Sequence, residues 1–154
     1  MGILMEVELN QSRYVRIGQN VLAFIAALFG LATIFAGTRV LVGADPGYIV
    51  FRPLLIYNTT MGIVYVAAGI IAWRRLDQGK YAAATIFVLN FVVLGVIYYL
   101  YTEGIAIAVD SLRAMILRTV VWLALFVGLA WISGRNKLTG FRRDAQPTDR
   151  AESL

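Results

Sequence analysis

Four long apolar runs dominate this sequence and restrict what it can fold into. Each is close to the roughly 20 residues that an α-helix needs to cross about 30 Å of hydrocarbon. Because lipid offers no hydrogen bonds to a backbone, each run is predicted to form a membrane-spanning helix. The predicted spans are residues 20–38, 53–73, 81–101 and 114–133. The sequence therefore predicts an all-α integral membrane protein, a bundle of four transmembrane helices.

Composition agrees with this prediction and excludes several kinds of site. The chain is 60% hydrophobic and only 15% charged, whereas a soluble domain carries about 25% charged residues. It contains neither Cys nor His, which excludes disulfides, Cys/His zinc sites and histidine acid–base chemistry. No metal or cofactor is expected. The net charge of +5 comes from basic residues at predicted helix ends and in the tail, so a nucleic-acid partner is not expected either.

The distribution of Lys and Arg predicts the orientation of the bundle. One side carries ten of them, namely Arg13, Arg16, Arg74, Arg75, Lys80, Arg135, Lys137, Arg142, Arg143 and Arg150. The other side carries four, namely Arg39, Arg52, Arg113 and Arg118. Since positive loops stay inside, both termini are predicted to be cytoplasmic (N-in/C-in), in a bacterial-type inner (plasma) membrane. Residues 1–19 then form a cytoplasmic segment, and residues 134–154 a cytoplasmic tail that is expected to be disordered.

The connections between the spans carry further signals. Residues 74–80 form a short link, so the second and third helices are predicted to be antiparallel neighbours. The first outer loop contains Asp45-Pro46-Gly47, a combination typical of turns. The start of the fourth helix is left open between Ile105 and Ala114, and we favour an outward extension to Ile105.

Small residues recur every three or four positions on the first two helices. Such faces allow helix backbones to approach closely, which drives helix association in lipid. The predicted packing residues are Ala27, Gly30, Gly37, Gly62 and Gly69. These faces are expected either to hold the bundle together or to form a contact in a homo-oligomer.

Polar residues at membrane depth indicate a candidate site. Arg118 lies within the fourth run, where a charge near the bilayer centre costs at least about 2.5 kcal/mol. At 1.5 Å per residue, Asn58 and Arg118 both lie about 8 Å below the outer surface, so they can meet. Arg is suited to bind carboxylate or phosphate. The predicted ligand-binding residues of this outward-facing pocket are Arg52, Tyr57, Asn58, Asn90, Tyr98, Asp110, Arg113 and Arg118.

The alternative interpretation of Arg118 is structural. In that case its side chain extends to the outer interface, or pairs with Asp110, which lies eight residues earlier on the same helix face. The two interpretations differ in what removal of the charge does: loss of ligand binding in one, loss of the fold in the other.

The function predicted from these features is non-enzymatic. The chain is expected to bind a lipid, a quinone or a small anion in the pocket, or to act as an accessory subunit of a larger membrane complex. One alternative is an oligomeric channel or transporter lined by Asn58, Asn90 and Arg118. A second is a lipid-modifying enzyme that uses Glu103 or Asp110, although the sequence contains none of the common catalytic motifs.

In size, span number and orientation, the chain resembles small four-span bacterial membrane proteins, DoxX-like ones among them. The likeness covers residues 20–133 and is one of topology. It implies a four-helix bundle and, because folds host many functions, no particular activity.

Overall fold

The structure consists of four long α-helices. The computed structural model describes residues 2–144, with side chains described for Asn10 and for residues 13–135. Helix α1 covers Gly2–Leu41, α2 covers Arg52–Arg74, α3 covers Leu76–Thr102 and α4 covers Val109–Asp144. Four segments are long and apolar enough to cross a membrane: Arg13–Leu41, Arg52–Arg74, Leu76–Thr102 and Val109–Arg135. The prediction of an all-helical chain with four such helices is confirmed.

The helices are longer than the predicted spans. Helix α1 runs without interruption through residues 2–19 into the first apolar run, and α4 continues through residues 134–144. The expectation of a disordered tail is therefore wrong for residues 134–144, while its remainder, residues 145–154, lies outside the described part of the chain.

Helix α4 begins at Val109, so its predicted extension to Ile105 is wrong. Gly104 has a φ of +83° just after α3 ends, a conformation that glycine adopts without strain. The chain then crosses residues 105–108 without regular structure, and Ile107 is buried against Leu112 and Met115.

All neighbouring helices are antiparallel. Rising residue numbers on α1 meet falling numbers on α2, since Ala27 faces Gly69 whereas Gly30 faces Val66. Helix α2 meets α3 where Ala72 touches Gly79, as the short link predicts, and α3 meets α4 where Asp77 accepts a hydrogen bond from Ser133. The bundle thus has two ends. We call the end with the connecting residue Arg75 the turn end, and the end with loops 42–51 and 103–108 the loop end.

The core lies where the helices converge. Trp122 and Tyr65, the largest fully buried side chains, pack with ring centroids 4.8 Å apart, and alanines from three helices surround them. Large apolar side chains such as Phe24 (67% exposed) and Phe91 (60% exposed) point outward. A bundle with an apolar exterior of this kind suits a lipid environment, as the composition predicts.

At the turn end, Gln19 of α1 holds the last turn of α2. Its Nε2 donates to the carbonyl oxygens of Ala72 (2.7 Å) and Trp73 (3.2 Å). The last carbonyls of a helix have no partner within the helix, so a side chain that reaches them is a cap.

Replacement of Gln19 with Met keeps the side-chain length but removes the donor. We expect a loss of about 1 kcal/mol of stability, the usual value of one net hydrogen bond, measured by thermal unfolding in detergent. Asn20→Met is the matched control because Asn20 is exposed and forms no such cap. An equal loss in both variants would contradict the capping role.

Candidate functional site

A cavity of about 360 Å³ lies at the loop end, between α1 and α4. Residues from α1, loop 42–51, α2 and α4 line it, and α3 contributes none of the lining residues. Most of the lining is apolar, with Phe35, Leu54 and Ala114 on three different walls. The polar lining residues are Arg39, Asp45, Tyr48, Asn58, Ser111 and Arg118.

The cavity follows from unequal helix packing. At the turn end, α1 and α4 are in contact: a Cβ at Gly18 would lie 3.0 Å from Ile132, and one at Gly128 would lie 2.9 Å from Leu22. Helix α1 also packs against α2, and nearer the loop end the backbone of Gly30 lies close to that of Gly62. The two helices that touch at one end therefore stand on opposite sides of the cavity at the other.

Five small residues of α1 and α2 lie in this close contact. Gly69 faces Ala27, Gly30 faces Gly62, and Gly37 meets the side chain of Thr59. A Cβ at Gly62 would be 3.0 Å from the backbone nitrogen of Ile34. The small faces seen in the sequence are thus used within one chain.

Arg118 is the central charged group of the cavity. It is partly buried, and its Nε atom is buried without a hydrogen-bond partner. No carboxylate among the described side chains forms an ion pair with it. Its terminal nitrogens, Nη1 and Nη2, hydrogen-bond to no described residue and are not among the buried unpaired atoms, so they are open to the cavity.

Asp110 does not neutralise Arg118. Its Oδ1 lies 3.4 Å from Nη1 of Arg113, and both side chains of this pair are exposed to solvent or headgroups. The pairing of Arg118 with Asp110, the structural alternative from the sequence, is therefore absent from the structure. The phenol groups of Tyr48, Tyr57 and Tyr65 lie near Arg118.

Asn58 stands on the α2 wall of the same cavity. Its Oδ1 is buried without a partner, whereas its Nδ2, which also bonds to no described residue, is not among the buried atoms. The inner wall thus presents hydrogen-bond donors, Nδ2 of Asn58 and the two Nη atoms of Arg118, and no carboxylate. A donor set of this kind suits an anion, because anionic oxygens accept several charge-assisted hydrogen bonds.

Loop 42–51 forms the outer rim of the cavity. The Oδ1 of Asp45 accepts a hydrogen bond from the amide of Gly47 at 2.8 Å, which closes the turn at Asp45-Pro46-Gly47. Gly47 has a φ of +78°, which a side chain would disfavour. Arg39 stands on the rim beside the ring of Phe35, with its Cζ 5.8 Å from the ring centroid. The rim therefore carries both signs of charge, and the inner wall only a positive one.

Behind the inner wall lies a group that we call the interior polar cluster: Tyr57, Tyr65, Asn90 and Trp122. Tyr65 OH donates to Oδ1 of Asn90 at 2.8 Å, and Tyr57 OH donates to the same oxygen at 3.4 Å. Asn90 is fully buried (0% exposed) and Trp122 almost so (1%). Nevertheless, Nδ2 of Asn90 and Nε1 of Trp122 have no hydrogen-bond partner.

The structure brings together only part of the predicted site. Asn58 and Arg118 line the cavity, and Tyr57 and Asn90 lie directly behind it. The other four predicted residues are exposed and do not line the cavity: Arg52, Tyr98, Asp110 and Arg113. Tyr98 is on α3, which lies away from the cavity, and its side chain is 61% exposed.

The sequence analysis missed the contribution of α1 and of the first loop. Arg39, Asp45, Tyr48 and Ser111 line the cavity, and Tyr65 completes the interior polar cluster. One signal was available for Ser111, because a step of seven residues places it on the same helix face as Arg118. For α1, only its tertiary packing reveals the role.

Within the described residues, no group of three or more acidic side chains comes together as a metal site would require. No protein-family model, characterised protein or solved structure matches the chain. Its function has to be argued from the cavity itself.

Proposed function

We propose that this chain is a multi-pass membrane protein that binds an amphiphile with an anionic headgroup in the cavity and performs no chemistry on it. Arg118 carries the proposal. A guanidinium that is partly buried and has no carboxylate partner is unfavourable by itself, since a buried charge is stable only when paired. An anion held by its open Nη atoms removes that cost.

The remaining walls support an amphiphile more than a free anion. The cavity is lined mainly by apolar residues, and Phe35 both lines it and is 66% exposed on the outer surface of the bundle. An apolar tail bound beside Phe35 leaves the cavity toward the surrounding lipid, while its headgroup contacts Arg118 and Asn58. A molecule with both parts uses all of the cavity.

The orientation proposed from the charge distribution indicates on which side of the membrane the cavity opens. If the turn end, with its excess of Lys and Arg, is cytoplasmic, the loop end lies in the outer leaflet of a bacterial-type inner membrane. The ligand then enters the cavity from that leaflet, between α1 and α4.

Two other functions have less support. An oligomeric channel based on the small faces of α1 and α2 would need different subunit contacts, because those faces pack against each other within the chain. A lipid-modifying enzyme would need Glu103 or Asp110 near the headgroup, but neither residue lines the cavity. The binding function proposed here uses Arg118, Asn58 and apolar side chains that all line the cavity.

The test compares lipid binding by the native protein and by Arg118→Gln. In nanodiscs of zwitterionic lipid, native mass spectrometry measures the affinity for added phosphatidylglycerol and for added phosphatidylcholine. We expect the native protein to prefer the anionic lipid, and Arg118→Gln to lose about tenfold to a hundredfold in affinity for it, the value of one charge-assisted hydrogen bond.

Arg113→Gln is the matched control, since it removes the same charge from the same helix but outside the cavity. It should bind anionic lipid like the native protein. Equal affinities for the anionic lipid in all three proteins would refute the proposal. If the native protein instead binds inorganic phosphate but shows no preference for the anionic lipid, the ligand is a free anion and not an amphiphile.

A further inference from the structure

Four buried polar atoms without a hydrogen-bond partner occur among the described side chains, and they lie together. They are Oδ1 of Asn58, Nδ2 of Asn90, Nε of Arg118 and Nε1 of Trp122. Asn58 and Arg118 stand on the inner wall of the cavity. Trp122 follows Arg118 by one turn of α4 and packs on Tyr65, whose hydroxyl bonds to Asn90. The unpaired atoms therefore belong to neighbouring side chains that lead from the cavity wall to the centre of the bundle, and we call this group the column.

The column holds more unpaired donors than unpaired acceptors. Three of the four atoms are N–H donors and one, Oδ1 of Asn58, is an acceptor, while Oδ1 of Asn90 already receives the hydroxyls of Tyr57 and Tyr65. A buried donor without a partner keeps the full cost of its lost hydration, and such groups in folded proteins are nearly always paired. Water satisfies donors and acceptors alike and typically makes about three hydrogen bonds at a buried polar site.

We infer that the cavity continues inward as a water-filled polar crevice that ends at Asn90 and Trp122. The ligand of this second site is water, held by Nδ2 of Asn90, Nε1 of Trp122 and the tyrosine oxygens. It does not depend on the amphiphile proposed above.

The crevice is closed toward the turn end. Between the interior polar cluster and the buried Ser133 at the turn end, the core contains the apolar side chains Ala72, Ala83, Ile86, Leu125 and Leu129. Apolar interiors of this kind stay dry. Water therefore reaches the centre of the bundle from the loop end and goes no further.

X-ray radiolytic footprinting of the purified protein tests this inference, because hydroxyl radicals formed from bound water oxidise the side chains beside it. We expect Trp122 and Tyr65 to be oxidised despite being 1% and 0% exposed. Met115 is the internal control. It is equally buried (0%) and closer to the loop end, but it packs in an apolar cluster with Leu54 and Ile97, so it should remain unmodified although methionine is readily oxidised.

Two variants separate bound water from general opening of the bundle. Asn90→Leu removes the group that holds the water, so oxidation of Trp122 should fall at least about fivefold, while the exposed Trp73 and Trp131 react as before. Asn90→Ser keeps a polar group and should retain the oxidation. Native protein in which Trp122 is as unreactive as Met115 would overturn the inference, as would equal oxidation of Met115 and Trp122.

Discussion

Replacement of Gly30 with leucine is expected to destabilise the bundle by about 3 kcal/mol or more, at the upper end of the range for overpacking. A Cβ at this position would lie 2.7 Å from the backbone nitrogen of Val66 and 2.8 Å from the carbonyl oxygen of Gly62. Backbone atoms cannot turn aside as a side chain can, so α1 must move away from α2. Close approach of small faces is what stabilises helix pairs in lipid, and the substitution removes it.

Thermal unfolding in a fixed detergent measures the effect. The matched control is Gly95→Leu, which makes the same change on α3, where a Cβ would have no neighbour within 4 Å. We expect that control to unfold at or above the native temperature, since leucine is a better helix former than glycine. Comparable losses in the two variants would mean that the α1–α2 contact does not hold the bundle together.

Replacement of Arg118 with Met is expected to have two opposite effects. Without ligand, the variant should be more stable than the native protein by about 1–3 kcal/mol, because an apolar side chain in a largely apolar cavity replaces a partly buried charge that lacks a carboxylate. In the same variant, binding of anionic lipid should be lost. A gain in stability together with a loss of binding is the pattern expected of a residue retained for function.

Unfolding temperatures with and without added phosphatidylglycerol measure both effects. The native protein should be stabilised by the lipid, as expected for any ligand that binds only the folded state, whereas Arg118→Met should not respond. Arg118→Lys is the control that keeps a charge: it should gain no stability and retain weak binding, since Lys lacks the planar fork of donors. A strongly destabilised Arg118→Met would assign Arg118 a structural role.

The cavity and the proposed crevice behind it depend on different residues and bind different ligands. Arg118 and Asn58 face a cavity that a headgroup can fill, whereas Asn90 and Trp122 are too deeply buried to meet one. The lipid-binding and footprinting experiments can therefore fail independently. Loss of lipid binding in Arg118→Gln with no water at Trp122 would leave the binding function in place above a dry core.

Much of the fold could be predicted because it depends on local properties of the chain. The four helices follow from runs of about 20 apolar residues that must satisfy their own backbone. The spacing of small residues on α1 and α2 marked faces suited to close packing, although it left open whether these faces meet within the chain or between subunits. The shared depth of Asn58 and Arg118 follows from a rise of 1.5 Å per residue, and both residues do line one cavity.

One error concerns a feature that depends on contacts between distant residues. Helix α4 starts at Val109, and the preceding Ile107 lies in a buried cluster that includes Leu54 of α2 and Ile97 of α3, contacts that no local pattern encodes. Asp110 has two arginines on its own helix, Arg113 three residues away and Arg118 eight residues away, and it pairs with Arg113, at 3.4 Å. Helix geometry favours a pair three or four residues apart, so the spacing itself favours this outcome.

The sequence alone thus determined that this chain forms four long apolar helices, because helix formation in lipid is a property of each segment by itself. Only the tertiary structure decided where those helices separate. The small residues hold α1 against α2 at several levels, α1 touches α4 toward the turn end, and toward the loop end a cavity with an unpaired Arg118 on its inner wall lies between α1 and α4. A cavity is a property of how several helices pack, and no single helix contains it.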